Sequence, residues 1–204
     1  EAIRKGEIGI VVDAEEREIE GDFICAAEKA TPELINFILS GRGQLCVSIL
    51  PEVAKRLELN PVVAQNAAPL KTAFLTPIDI SSAKTGITAA ERSETIRRLS
   101  EPDCVSADFV RPGHVYPLLA KEGGVLRRAG RTAAAVDLAR MAGLAPAAAL
   151  CEVLNDSGDR ASRQDLANIA EQHNLKIISI EQLIAHRRVS EKLINRAAEA
   201  KLPT

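Results

Sequence analysis

Short apolar runs and amphipathic stretches follow one another along the chain without a fixed period. Residues 8–12 are a β-branched run with the length of a buried strand. The acidic segment 13–22 places Glu16, Glu18, Glu20 and Asp22 at every second position, so an extended backbone would set four carboxylates on one face. The spacing of Leu34, Ile35, Ile38 and Leu39 predicts a helix over 31–39, with Thr31 as its cap, Pro32 in its first turn and Gly41 at its end. Residues 46–50 read as a strand and 51–57 as a short helix. Residues 73–79 read as a strand that Pro77 confines to an edge or a bulge. Thr88-Ala89-Ala90-Glu91 is a capping box opening a helix through Leu99. Residues 102–116 read mostly as loop. A helix is predicted over 133–141 with Thr132 as its cap, strands over 150–154 and 176–180, and a helix between them around 165–173. The stretch 180–200 reads as helical and increasingly polar.

There is no internal repeat and no low-complexity linker, so the alternation indicates one domain over 1–204, α/β or α+β in class. Residues 197–204 read as the start of a linker. A net charge of −2, no Trp and one Tyr leave little for general nucleic-acid binding or base stacking. No apolar run approaches the ~20 residues that span a membrane. Cys25, Cys46, Cys104 and Cys151 form no Cys-x-x-Cys pair. Cys25, Cys46 and Cys151 sit within apolar segments and read as reduced thiols in the core of a cytoplasmic protein, with Cys46, after a Gly-Arg-Gly turn, also able to face a site.

Four places could carry chemistry. Gly123-Gly124-Val125-Leu126-Arg127-Arg128-Ala129-Gly130-Arg131-Thr132 is a glycine-rich, basic loop running into a helix, and a helix N-terminus suits an anion such as phosphate. The carboxylates of 16–22 could bind a hard divalent cation or move protons at a sugar carbon, or form only a solvated acidic loop. His114, in Arg111-Pro112-Gly113-His114, is either an acid/base or a turn donor. Glu152 lies within an apolar strand and needs a partner there, catalytic or structural.

These pieces, in this order, resemble a family. Residues 15–22 (Glu-Glu-Arg-Glu-Ile-Glu-Gly-Asp), 86–92, 111–118, 123–130 and 151–156 (Cys-Glu-Val-Leu-Asn-Asp) together resemble 3,4-dihydroxy-2-butanone 4-phosphate synthase over almost the whole chain. The resemblance implies a mixed sheet with surrounding helices. It also implies a Mg²⁺-dependent homodimer, with sites at the subunit interface, that converts ribulose 5-phosphate into a four-carbon ketone phosphate and formate for riboflavin synthesis. It makes Glu18 a metal ligand. It sets Asp13, Arg17, Asp22, His114 and Glu152 around the sugar, with Cys46 nearby. Arg128, Gly130 and Thr132 would hold the phosphate, with Arg131 in the same loop. The ending resembles the joint to a cyclohydrolase half in bifunctional relatives.

The chain departs from the family where the metal would sit. The family loop reads Gly-His-Thr-Glu-Ala; here it reads Gly130-Arg131-Thr132-Ala133-Ala134. The family histidine is the other protein ligand to the metal, and arginine has no lone pair to give. Ala14, Ile19 and Ser157 replace Asp, Asn and Asp, and Arg160-Ala161-Ser162 replaces Met-Ala-Arg. Three readings follow: the family reaction, a diverged sugar-phosphate enzyme in which Arg131 supplies the positive charge, and a non-catalytic structural or regulatory relative.

Overall fold

A computed structural model describes residues 1–13 and 20–191 of the chain. Among these residues, seven strands form one mixed sheet in the order β4-β5-β3-β6-β2-β1-β7. They are β1 (Gly9–Val12), β2 (Gly21–Ala26), β3 (Cys46–Ile49), β4 (Ile78–Ile80), β5 (Phe109–Leu119), β6 (Ala148–Glu152) and β7 (Lys176–Ser179). The β1–β7 and β3–β5 pairs are parallel, and the other four pairs are antiparallel. The helices are α1 (Pro32–Leu39), α2 (Pro51–Arg56), α3 (Ala89–Ser100), α4 (Arg131–Met141), α5 (Arg163–His173) and α6 (Ile180–Ser190).

Helix starts obey local chemistry. The Thr31 hydroxyl accepts from the Leu34 amide, and Thr88 with Glu91 closes the expected capping box. Ser162 with Asp165 and Ser179 with Gln182 do the same for α5 and α6.

Side-chain alternation then sorts each strand between two apolar layers. Ile10, Phe23, Cys25, Val47, Ile49, Ala149 and Cys151 pack with Ile35 and Ile38 of α1, Ile96 and Leu99 of α3 and Leu166 of α5. Val11, Ile24, Ala26, Cys46, Ala148 and Leu150 pack with Ala134, Ala135 and Ala139 of α4 and Ile180 and Leu183 of α6. The sheet is thus buried on both faces, and apart from Asp22, Ser48 and Glu152 its central strands β2, β3 and β6 are apolar. All four cysteines are buried free thiols, as expected for Cys25, Cys46 and Cys151.

Three expectations change, and one strand, β2, carried no expectation. Residues 102–116 are not mostly loop, since 109–119 form the eleven-residue strand β5, which runs through a cis Arg111–Pro112 bond. Its first half is exposed and paired to β4 across a bulge, so it carries no apolar alternation to read. β2 has six buried residues that the acidic lead-in conceals. The strand expected over 73–79 begins at Ile78, with Phe74 and Leu75 making only isolated bridges. Finally, α4 starts at Arg131 with the extended Gly130 at its N-cap, so Thr132 lies within the helix and does not cap it. Residues 192–200 of the predicted C-terminal helix and the linker reading of 197–204 lie outside the described residues.

Candidate active site

Strand register builds the site. Asp22 of β2 stands directly opposite Glu152 of β6, and Cys46 of β3 opposite Leu150 of β6. Even-numbered residues of β2 and β6 point toward α4, as Ile24 and Leu150 do, so Asp22 and Glu152 point there too. Beyond the β1–β2 ladder, the Asp13 amide donates to the Glu20 carbonyl (3.2 Å), which keeps these two residues in step with Asp22. The start of α4 lies across this strand-end cluster. The Ser48 hydroxyl of β3 donates to the Thr132 carbonyl (2.8 Å) and fixes the first turn of the helix onto the sheet.

A pocket of about 350 Å³ results, a size suited to a small ligand. Asp13, Asp22, Cys46 and Glu152 line it from the strand side. Arg128, Gly130, Arg131 and Thr132 line it from the loop and helix side. These eight of the eleven expected site residues therefore meet in one place. Arg17 and Glu18 lie outside the described residues.

His114 does not line this pocket. It sits on β5, where its backbone amide and Nδ1 meet Oδ1 and Oδ2 of the buried Asp79 at 2.8 and 2.7 Å. With the proton on Nδ1, donation to the Asp79 carboxylate fixes the ring and leaves Nε2 as an acceptor. Asp79 had no signal in the sequence, because it pairs with His114 across a strand that reads as loop.

Arg131 dominates the electrostatics. Its side chain is 14% exposed. Nη1 donates to Asp22 Oδ1 at 2.6 Å, Nη2 to Glu20 Oε2, and Nε lies 3.8 Å from Asp13 Oδ2. Arg160 donates to the other Glu20 oxygen at 2.9 Å. The two arginines that depart from the family pattern thus converge on Glu20, which the sequence reading placed among the carboxylates but not in the site.

Burial works to raise the Glu20 carboxyl, but hydrogen bonds and charge from Arg160 and Arg131 outweigh it and hold Glu20 low. Burial also works against the charge on Arg131, and Asp22, Asp13 and Glu20 outweigh it. Asp22 behaves oppositely. Burial pushes its carboxyl up, Arg131 pulls it back, and Glu152 and Asp13 push it up again, to about 7. One guanidinium shared among three carboxylates does not keep all of them ionised.

Glu152 is held by the main chain: its Oε2 accepts from the Gln44 amide at 2.9 Å. Gly43 makes this approach possible, since a Cβ there would lie 2.5 Å from the Glu152 carbonyl and 2.6 Å from Oε2. Burial, then Glu152 and Asp22, raise the Cys46 thiol far above its usual range, so it stays protonated. Asn155–Gly158 is the ordinary turn expected, with the Asn155 side chain accepting from the Ser157 and Asp159 amides.

The glycine-rich loop is anchored from behind. Buried Asp137 of α4 accepts from the Val125 amide (2.8 Å) and from buried Arg187 of α6 (2.6 Å). Arg187 also donates to the Gly123 carbonyl (2.9 Å). Neither residue stood out in the sequence, where both are ordinary helix charges.

Among the described residues, no three His, Cys, Asp or Glu side chains are arranged to hold a metal ion, and no helix is long and apolar enough to cross a membrane.

Known proteins match this architecture closely. The family model of 3,4-dihydroxy-2-butanone 4-phosphate synthase matches residues 1–186. The riboflavin biosynthesis protein RibBA of Bacillus cereus is 52% identical, with 100% of this chain matched to 52% of that protein. RibBA of Bacillus velezensis is 50% identical with the same coverage. The chain therefore spans about half the length of these curated relatives. Among solved structures, RibBX, a two-domain synthase from A. baumannii, superposes with a TM-score of 0.92 at 42% identity, covering 100% of this chain and 60% of that one. A synthase in complex with two magnesium ions superposes at 0.84 with 36% identity, covering 93% of this chain and 94% of that one. The chain belongs to the 3,4-dihydroxy-2-butanone 4-phosphate synthase family.

Proposed function

We propose that this domain is a lyase that converts ribulose 5-phosphate into 3,4-dihydroxy-2-butanone 4-phosphate and formate for riboflavin synthesis. The observation that carries this reading is the meeting, in one pocket, of Asp22, Glu152 and Cys46 with the start of α4 and Arg128. No side chain caps α4, and Gly130 is extended at its N-cap. The phosphate would bind at the amides of that first turn, beside Arg128 and Thr132.

The sugar carbons then lie over the strand ends. Asp22, with its carboxyl near neutrality, is matched to taking and returning a proton during enolisation. Glu152, fixed by the Gln44 amide, stands opposite it as the second carboxylate. The two can share the proton transfers of enolisation and dehydration. Cys46 stays neutral and shapes the wall. The skeletal shift rearranges five carbons, and hydrolytic cleavage releases one as formate, leaving the four-carbon ketone phosphate.

His114 fits this scheme as a group supplied by a second copy. Asp79 orients its ring on a half-exposed stretch of β5, outside the pocket of its own chain. The homodimer with shared sites that the family resemblance implies would bring it to the pocket of the other copy. Arg17 and Glu18 would join the site from the segment outside the described residues. Four buried free thiols fit a reducing cytoplasm.

The test is incubation of the purified chain with ribulose 5-phosphate, with and without Mg²⁺, and assay of formate and of the ketone phosphate. Stoichiometric release of both supports the proposal. Absence of both under all metal conditions, with inorganic phosphate still raising the melting temperature, would instead favour a binding but non-catalytic relative.

A further inference from the structure

Whether the site suits the family's metal can be judged from Arg131. Magnesium needs several oxygen donors at about 2.0–2.1 Å in near-octahedral array. Here Asp22 Oδ1 and Glu20 Oε2 are taken by Arg131, and Glu20 Oε1 by Arg160. The position that would offer a histidine offers a permanently charged donor without a lone pair. The side chain is enclosed between helix and sheet and is not a surface arginine that swings aside. Ala133, where the family has Glu, is buried in the apolar layer and contributes no oxygen. The described residues do not fit a magnesium ion.

We propose that Arg131 is this domain's resident cation: its guanidinium occupies the place among Asp13, Glu20 and Asp22 that a divalent ion would need, so the site works without magnesium. Charge supports the exchange. Arg131 and Arg160 together bring two positive charges to the carboxylate cluster, the same formal charge as the ion they replace. The arginines are covalently present, so the cation cannot be lost to a chelator or to metal scarcity. Where the proposed sugar-phosphate reaction holds, on which this second half of the inference rests, Arg131 supplies the fixed charge facing the developing enediolate.

The experiment has two arms. In the first, Mn²⁺ is titrated into the purified chain and free Mn²⁺ is followed by electron paramagnetic resonance, with Mg²⁺ followed by calorimetry. Wild type should bind neither at millimolar concentration. Arg131→His should bind Mn²⁺ at least ~10-fold more tightly, since even indirect loss of ligand support changes affinity by that much. Arg131→Gln, of similar length but uncharged, should gain a Mg²⁺-dependent rise in melting temperature that wild type lacks. Tight stoichiometric Mn²⁺ binding by wild type, or no gain in either variant, overturns the proposal.

In the second arm, formate release from ribulose 5-phosphate is compared in EDTA and in Mg²⁺. Equal rates support metal-free turnover. Release only in Mg²⁺ overturns this proposal and leaves the proposed reaction standing. No release in either, with the expected titrations in the first arm, keeps the cation exchange and sinks the reaction.

Discussion

The clamp behind the glycine-rich loop sets a stability cost that can be worked out from its contacts. Arg187→Met keeps the length of the side chain and removes its charge. Asp137 is 1% exposed and would keep only the Val125 amide (2.8 Å) and the half-exposed Arg140 (3.2 Å). Removing one partner of a buried pair costs about 3–5 kcal/mol, because the other charge stays buried without it. Arg140 and the amide offset part of this, which places Arg187→Met near ~3 kcal/mol. Asp137→Ala differs in mechanism. Arg187 keeps Glu191 through two contacts of 2.7 and 2.6 Å, so the cation stays paired. The Val125 amide is orphaned, at a cost of about 1–3 kcal/mol. Urea denaturation of wild type, both single variants and the double variant gives the coupling directly. The double variant should cost clearly less than the sum of the singles. Strict additivity, or a cost below ~1 kcal/mol for Arg187→Met, would refute the clamp. Because Gly123–Val125 precedes Arg128 and α4, Arg187→Met should also raise KM for the sugar phosphate more than it lowers kcat.

Other outcomes follow from single contacts. The folded Asp22 carboxyl binds its proton up to about pH 7, whereas an unfolded one releases it near the ordinary aspartate value of 3.8. Its contribution to stability is therefore fully present below about pH 4 and lost as pH rises through 7. The melting temperature of wild type relative to Asp22→Asn should fall from pH 5 to pH 8, and a flat difference would contradict the raised carboxyl. Gly43→Ala would drive a methyl against Glu152 and should cost about 1–3 kcal/mol in thermal unfolding, with kcat falling sharply as the Gln44–Glu152 contact is lost. Thr88→Ala removes the α3 cap and should cost ~1 kcal/mol. Formate release should stay at the wild-type rate, since α3 packs on the face of the sheet away from the pocket.

What the sequence reveals divides along a physical line. Helix starts are local: Thr31, Thr88 and Glu91 cap through amides three residues away, so their pattern is visible without the fold. Strand ends are not local. Asp22 meets Glu152 only because β2 and β6 pair in one register, and His114 meets Asp79 only because β5 and β4 pair across a bulge. The alternation of Glu20 and Asp22 already placed both on one face, and the sheet supplies what faces them. Arg131 combines the two cases. From the sequence it reads as a lost metal ligand in a phosphate loop. Its consequence depends on Gly130 starting α4 one residue before it, which directs the side chain into the strand-end carboxylates and not toward solvent. Had Thr132 capped the helix as its type suggests, Arg131 would have been a loop residue with solvent to point into. The two-residue difference in where α4 begins is therefore what turns a substitution into an ion pair, and it makes the phosphate end and the carboxylate end of the pocket parts of a single helical turn.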